Sequence, residues 1–280
     1  MTRHACLLAG AALLLATTAA LGQEAPPLRT GVDGTFAPHA FPSLSGGYEG
    51  FNIDLANEIA RRLKRRIVID AAQYSGLIPA LQAGTYDFLA APTTVTKERS
   101  ESMLFTEGYL NTDYQFLIKK GAHKVTKLED LKGKTITVNK GAIYDSWAHD
   151  LEGKIGWKVE SFGTQTDAVQ AVLVGRADAN VAGNTAIAWA VKNNPQLELS
   201  YLYSTGLVWA APLRKDSTEL RNRLDNAIEC MKLDGTIAKM HEKWFGVAAP
   251  AGSAAVTVYP GYGVPDMPGY DPTPHTPACG

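Results

Sequence analysis

The chain has 280 residues, with 27 basic and 28 acidic side chains and a formal net charge of -1. A balance that close to neutral, with no basic stripe and no aromatics interleaved with lysine or arginine, argues against nucleic acid as a partner. The length suits one large or two modest domains.

Met1-Thr2-Arg3-His4 precedes an apolar stretch from Leu7 to Ala20, which together form the basic flank and short hydrophobic region of a secretory signal. Residues 1–22 are therefore read as a signal peptide cut after Gly22, with Ala19 and Ala20 as alternative cut points. Cys6 lies before the apolar region, whereas a lipid-anchoring cysteine follows it, so the exported protein is expected to be soluble. After processing, Cys230 and Cys279 remain, and an oxidising compartment favours a disulfide between them that ties down the tail. No other segment is apolar for long enough to cross a bilayer.

Residues 23–30 lead into a first strand, and Gly34-Thr35-Phe36-Ala37-Pro38 reads as a loop with an aromatic at its apex. Gly50-Phe51-Asn52 introduces a helix with Ile53, Ala56, Ile59, Ala60 and Leu63 on one face; Arg61, Arg62, Lys64 and Arg65 are a solvated basic end that complements the helix dipole. A strand at Ile67 to Asp70, a short helix from Gly76 to Ala83 with Pro79 in its first turn, and a strand at Phe88-Leu89-Ala90-Ala91 follow. Thr93 to Arg99 then lies at a strand's carboxyl end, where open α/β sheets present ligand groups.

Tyr114 to Ile118 is a hydrophobic strand leading into a second βα series, which begins with Leu128 to Gly133 and Thr135-Ile136-Thr137-Val138. Gly141-Ala142-Ile143-Tyr144 sits between that strand and a helix through Trp147, so its backbone amides can attract an anion. Thr164 with Asp167 forms a capping-box pattern. Gly206 to Ala210 is a further strand, and Leu220 to Trp244 is a long amphipathic pattern carrying Leu224, Ile228, Met231, Ile237 and Met240. Beyond Val247 the composition turns to Ala, Pro, Gly and Tyr without helical period, so residues 248–280 are expected to form an extended or disordered tail.

The phrase Ala80-Leu81-Gln82-Ala83-Gly84-Thr85-Tyr86-Asp87 recurs in outline as Ala171-Val172-Leu173-Val174-Gly175-Arg176-Ala177-Asp178. In each copy helically spaced apolar residues end at a glycine suited to a left-handed cap, and an aspartate opens an apolar run. The chain thus builds one helix-turn-strand unit twice, which implies two similar α/β lobes and a cleft.

Several motifs in order carry a family resemblance: Gly50-Phe51-Asn52-Ile53-Asp54-Leu55, Leu77-Ile78-Pro79-Ala80-Leu81 with Gly84 and Asp87, and Thr96-Lys97-Glu98-Arg99. Phe105-Thr106-Glu107-Gly108-Tyr109, Leu128-Glu129-Asp130-Leu131-Lys132-Gly133-Lys134 and the Gly175 to Asp178 phrase complete the set. In this the chain resembles the periplasmic solute-binding proteins of amino-acid-type (family 3) ABC transporters. The resemblance implies an α/β, two-lobed periplasmic-binding-protein fold, type II-like, with two hinge crossings. It assigns residues 23–115 and 207–247 to lobe 1 and residues 116–206 to lobe 2, and the protein is expected to be a periplasmic monomer that hands a small-molecule solute to an inner-membrane ABC permease.

By the same resemblance Arg99 matches the arginine that grips a ligand carboxylate, for which a guanidinium offers paired donors. A surface ion pair with Glu98 or Glu101 is the competing reading. Thr94 matches a hydroxyl on the same loop, and the backbone at Ala91 would help hold polar groups, although Pro92 removes one donor. Phe36 and Tyr74 match aromatics that cover a ligand side chain or pack the core, and Gly141, Ala142, Ile143 and Tyr144 form the facing glycine loop, without the threonine that relatives carry. Where many relatives place an aspartate for an α-ammonium, this chain reads Val181-Ala182-Gly183-Asn184, leaving Asn184 as the remaining polar candidate and favouring an acid without an amine or an atypical solute.

Two other functions compete. A dehydratase resembling those that process prephenate or arogenate would need an acid or base, for which Glu107, Asp113 and His149 are candidates. An accessory protein of a periplasmic quinoprotein dehydrogenase would use the Tyr259 to His275 tail. A nucleophile triad, a phosphate-binding GxxxxGK(S/T) loop and a CxxC pair do not occur, so no cofactor and no metal are assigned.

Overall fold

A computed structural model describes residues 25–279; the expected signal peptide, its cleavage point and Cys6 lie outside the described residues. In chain order the elements are β1 (Leu28–Val32), β2 (Phe41–Pro42), β3 (Tyr48–Glu49), α1 (Phe51–Arg62), β4 (Ile67–Ala71), α2 (Tyr74–Gln82), β5 (Phe88–Leu89), β6 (Thr93–Thr94), α3 (Lys97–Ser102), β7 (Met103–Phe105) and β8 (Leu110–Lys119). After a 3-10 turn at Leu128–Leu131 come β9 (Thr135–Asn139), α4 (Ile143–Ile155), β10 (Lys158–Phe162), α5 (Gln165–Leu173), β11 (Ala179–Gly183) and α6 (Asn184–Asn193). The chain returns through β12 (Leu197–Ala210) and β13 (Pro212–Arg214) to α7 (Thr218–Leu233) and α8 (Thr236–Phe245).

Two large sheets result, each the centre of a lobe, beside a small two-stranded β2-β3 sheet. One has the order β4-β1-β5-β13-β7 and the other β10-β9-β11-β8-β12-β6. Each has a parallel core, β4-β1-β5 in the first and β10-β9-β11 in the second, flanked by antiparallel strands. The chain passes to the second sheet through β8 and leaves it through β12; these long strands pair antiparallel, with Tyr203 opposite Tyr114 and Trp209 opposite Leu110. These two adjacent strands are the crossings between the two sheets.

The repeated phrase does the same structural work twice. Gly84 (φ 79) ends α2 and Gly175 (φ 78) ends α5, a backbone conformation that a Cβ disfavours. Each aspartate then clasps the strand beside it at two points: Asp87 exchanges 2.8 Å bonds with Arg29, its N–H donating to the carbonyl and its Oδ2 accepting from the amide. Asp178 does the same with Thr135, again at 2.8 Å.

Two expectations need correction. Pro79 lies inside α2, because that helix starts at Tyr74 rather than Gly76. The long pattern from Leu220 to Trp244 is two helices, broken at Gly235. Residues 248–279 are extended, as one of the two expected alternatives had it, and pack along the first lobe rather than being disordered. Their anchor is a polar stripe on α7, Arg221, Asp225, Glu229 and Lys232, all buried. Asp225 accepts from the Gly263 amide at 2.6 Å, and the Arg221 guanidinium donates to the Gly269 carbonyl at 3.0 Å. Glu229 meets His275 at 2.8 Å, whose ring stacks on Tyr262 at 3.8 Å, and Cys230 is bonded to Cys279. Lys232 pairs with Glu107 at 2.7 Å, both side chains fully buried, and also donates to the carbonyls of Gly108 and Thr257 at 2.7 and 2.8 Å.

Candidate solute cleft between the lobes

Strand ends deliver the cleft. Asp33 follows β1, Phe36 follows in the next turn, and Tyr74 opens α2. Thr94 ends β6, after which the Thr96 hydroxyl accepts the Arg99 amide at 3.2 Å and starts α3. That cap turns the Arg99 side chain back over the strand end. Its Nη1 donates to the Thr94 carbonyl at 3.1 Å, and its Nη2 crosses the cleft to the Gly141 carbonyl at 3.3 Å. Ala142, Ile143 and Tyr144 from the start of α4, with Asn139, Pro92 and Trp209, complete the lining.

The lobes are closed. The cavity between them is ≈ 10 Å³, room for a single water. Besides the Arg99 contact, Asn139 Nδ2 donates to Asp33 Oδ2 at 2.7 Å, the Gln165 amide donates to Thr35 Oγ1 at 3.2 Å, and His39 Nε2 meets Thr185 Oγ1 at 2.7 Å. Gly141 is glycine partly because a Cβ there would lie 3.0 Å from Ser75 Cα on the opposite lobe.

Of the residues singled out from sequence, Phe36, Tyr74, Thr94, Arg99, Ala142, Ile143 and Tyr144 all line this cleft, and Gly141 meets it through its carbonyl. Two do not. The Ala91 amide donates to the Gly31 carbonyl at 3.1 Å and the Ala91 carbonyl accepts from Thr93 at 3.0 Å, so its polar groups are spent inside the first lobe. Asn184 lines a separate cavity between α6 and α8, with Trp189, His241 and Phe245. The helix start also differs in detail: the Gly141 amide is taken by the Asp145 carboxylate at 2.8 Å and that of Ala142 by the Asn139 carbonyl at 3.2 Å. The amides of Ile143 and Tyr144, first in α4, are the ones no described side chain caps, and they carry the positive end of that helix dipole.

Asp33, His39, Asn139 and Trp209 escaped the sequence reading. His39 is fully buried among Phe36, Phe51, Trp209 and Phe245. Burial lowers its pKa to about 4, against a partial opposing effect of its hydrogen bond to Asn52 at 2.9 Å. Because Asn52 Nδ2 donates to the Ala90 carbonyl and to Tyr109 Oη, its Oδ1 must accept, which assigns the His39 proton to Nδ1 and leaves Nε2 to accept from Thr185. The neutral ring gives a pH prediction. Stability from this site is complete above the ordinary histidine value of 6.5 and is lost as pH falls towards about 4, up to about 3 kcal/mol. Melting temperatures between pH 7.5 and 4.5 should fall more steeply for the natural protein than for His39→Gln; equal slopes would refute the assignment.

The three acid–base candidates lie apart: Glu107 is paired with Lys232 beneath the tail, Asp113 accepts from the Thr205 amide at 2.8 Å in the hinge, and His149 is exposed on α4 beside Glu152.

Comparison with known proteins places this geometry. The description Bacterial extracellular solute-binding proteins, family 3, matches residues 28–247. The chain belongs to that family. Its relatives include the ABC transporter arginine-binding protein 1 of Escherichia coli (strain K12), 31% identical over 245 residues, 84% of this chain and 97% of that protein. Among solved structures, an ancestral arginine-binding protein bound to arginine superposes with a TM-score of 0.76 at 34% identity, covering 80% of this chain and 100% of that one. The ancestral amino acid-binding protein AncCDT-1, a precursor of cyclohexadienyl dehydratase, has a TM-score of 0.72 at 32% identity over 78% of this chain and 95% of its own. For this family 3 solute-binding protein, the tail from residue 248 onward lies outside the matched span.

Proposed function

We propose that this protein is the periplasmic solute-binding component of an ABC importer, capturing a small carboxylate-bearing solute by lobe closure and presenting the closed form to a permease as a monomer. The observation that carries the reading is Arg99. Its guanidinium spans the two lobes, and among the described residues it donates to two carbonyl oxygens and pairs with no carboxylate. A cation so placed is matched by an anion held between the lobes, with the first amides of α4 and the Thr94 hydroxyl as further donors. Solute affinity for the closed form then shifts the open–closed population. The relatives named above are binding proteins, and the scattered positions of Glu107, Asp113 and His149 favour binding over turnover.

A thermal-shift screen of amino acids, oxo acids, dicarboxylates and small amines tests this, since a ligand that binds only native protein raises its melting temperature. Acids should give shifts and amines alone none. The ordered tail favours a second reading, an accessory protein of a periplasmic quinoprotein dehydrogenase; co-purification of such an enzyme, lost on removing residues 248–280 and indifferent to acids, would support it instead.

A further inference from the structure

We propose that the cavity between α6 and α8 is a second small-molecule site, separate from the solute cleft, and that it takes a planar aromatic molecule carrying a hydrogen-bond donor. The site goes beyond the carboxylate-capture reading and does not depend on it.

The cavity holds ≈ 350 Å³, which falls within the roughly 300 to 1,000 Å³ usual for small-molecule sites. One wall is α6, packed on the second sheet, and the other is α8, packed on α1 and α7 of the first lobe. Its aromatic side chains are held by neighbours outside it. The ring of Phe41 lies 5.5 Å from that of Trp189 and 5.9 Å from that of Trp244. The Trp244 indole N–H donates to Asp54 Oδ2 at 2.8 Å, and Phe245 stacks on Phe51 at 5.3 Å. Rings fixed in this way offer flat apolar surface to a guest at little ordering cost.

The polar groups of the lining ask for a donor. His241 is 8% exposed, and its Nδ1 meets the Val247 carbonyl at 2.8 Å. A carbonyl only accepts, so Nδ1 carries the hydrogen and Nε2 of the neutral ring is an acceptor. Among the described residues that Nε2 has no hydrogen-bond partner. Asn184, the first residue of α6 and part of the same lining, has its Oδ1 buried without a partner as well. Buried polar atoms are ordinarily matched, so two unmatched acceptors in a cavity walled by rings fit a guest that brings an N–H or O–H. The lining holds no carboxylate among the described residues, which argues against a cationic guest, and its one ammonium, on Lys192, belongs to an exposed side chain.

Calorimetric titration with indole and 1-methylindole, a matched pair that differs in the N–H, tests the site. Indole should bind the natural protein and Arg99→Ala alike, which separates this cavity from the solute cleft. It should bind about fivefold more tightly than 1-methylindole, the effect of one neutral hydrogen bond. His241→Asn, which keeps an amide near Nδ1 and removes Nε2, should erase that difference. Trp189→Ala should weaken indole at least about tenfold. Because that variant may not fold, Ala188→Phe provides a second route: Ala188 is exposed and lines the cavity, so a ring there fills the space and should block indole while the protein still melts cooperatively. No binding of indole at millimolar concentration, or binding that Ala188→Phe leaves unchanged, would overturn the site. Equal affinity for 1-methylindole would overturn the donor that defines its ligand.

Discussion

Arg99→Ala should weaken binding of an acid solute about 100- to 1,000-fold or more while leaving the fold intact. Two charge-assisted bonds from one guanidinium contribute on the order of 1.5 to 3 kcal/mol each, and every 1.4 kcal/mol is tenfold in affinity. Stability should barely change, because the bonds lost within the protein are two weak contacts to the carbonyls of Thr94 and Gly141, at 3.1 and 3.3 Å. Arg99→Lys keeps the charge without the planar fork and should recover only part of the affinity. Titration calorimetry with thermal melts separates the two effects. Unchanged affinity in Arg99→Ala would move the solute elsewhere.

Lys232→Ala should destabilise the protein by about 3 to 5 kcal/mol, the usual result of removing one partner of a fully buried ion pair. Its ammonium meets Glu107 at 2.7 Å with both side chains at 0% exposure and also holds the Gly108 and Thr257 carbonyls, the second of them in the tail. Burial already pushes the Glu107 carboxyl up, and Lys232 is the main influence holding it down. In the variant that restraint is gone. A carboxyl with a raised folded-state pKa stabilises only below its unfolded value and loses that contribution as pH rises, so the variant should be weakest at neutral pH and partly relieved by acid. Adding Glu107→Gln should recover much of the loss. Urea denaturation of the four proteins gives the cycle; a single-variant loss below about 1 kcal/mol would contradict the ion-pair account.

The local features were legible because their causes are local. The doubled helix-glycine-aspartate phrase predicted two lobes, and each aspartate proves to clasp its neighbouring strand. Arg99 was found through its place in Thr96-Lys97-Glu98-Arg99, where Thr96 caps the helix that aims it. What escaped is held by distant partners. Asn139 reaches Asp33 across 106 residues, Trp209 reaches Thr94 across 115, and Thr185 reaches His39 across 146. No hydrophobic period records such contacts. Asn184 was chosen as the nearest polar neighbour of Gly183, but the helix start at that point turns it into another cavity. The disulfide that ties down the tail was legible from the cysteine count, but its packing was not: Pro/Gly-rich chain has no period, and the i, i+4 spacing of Arg221, Asp225 and Glu229 looks like a solvated face unless its cover is known.

An acid bound at Arg99 is expected to draw the lobes together. Fluorophores at Leu44 and Val174, both exposed and on opposite lobes, would report the separation by energy transfer. Adding a bound acid should shift the distances in the natural protein to a shorter population and leave Arg99→Ala unmoved. An acid that binds without changing the distance, or that closes Arg99→Ala equally well, would contradict it.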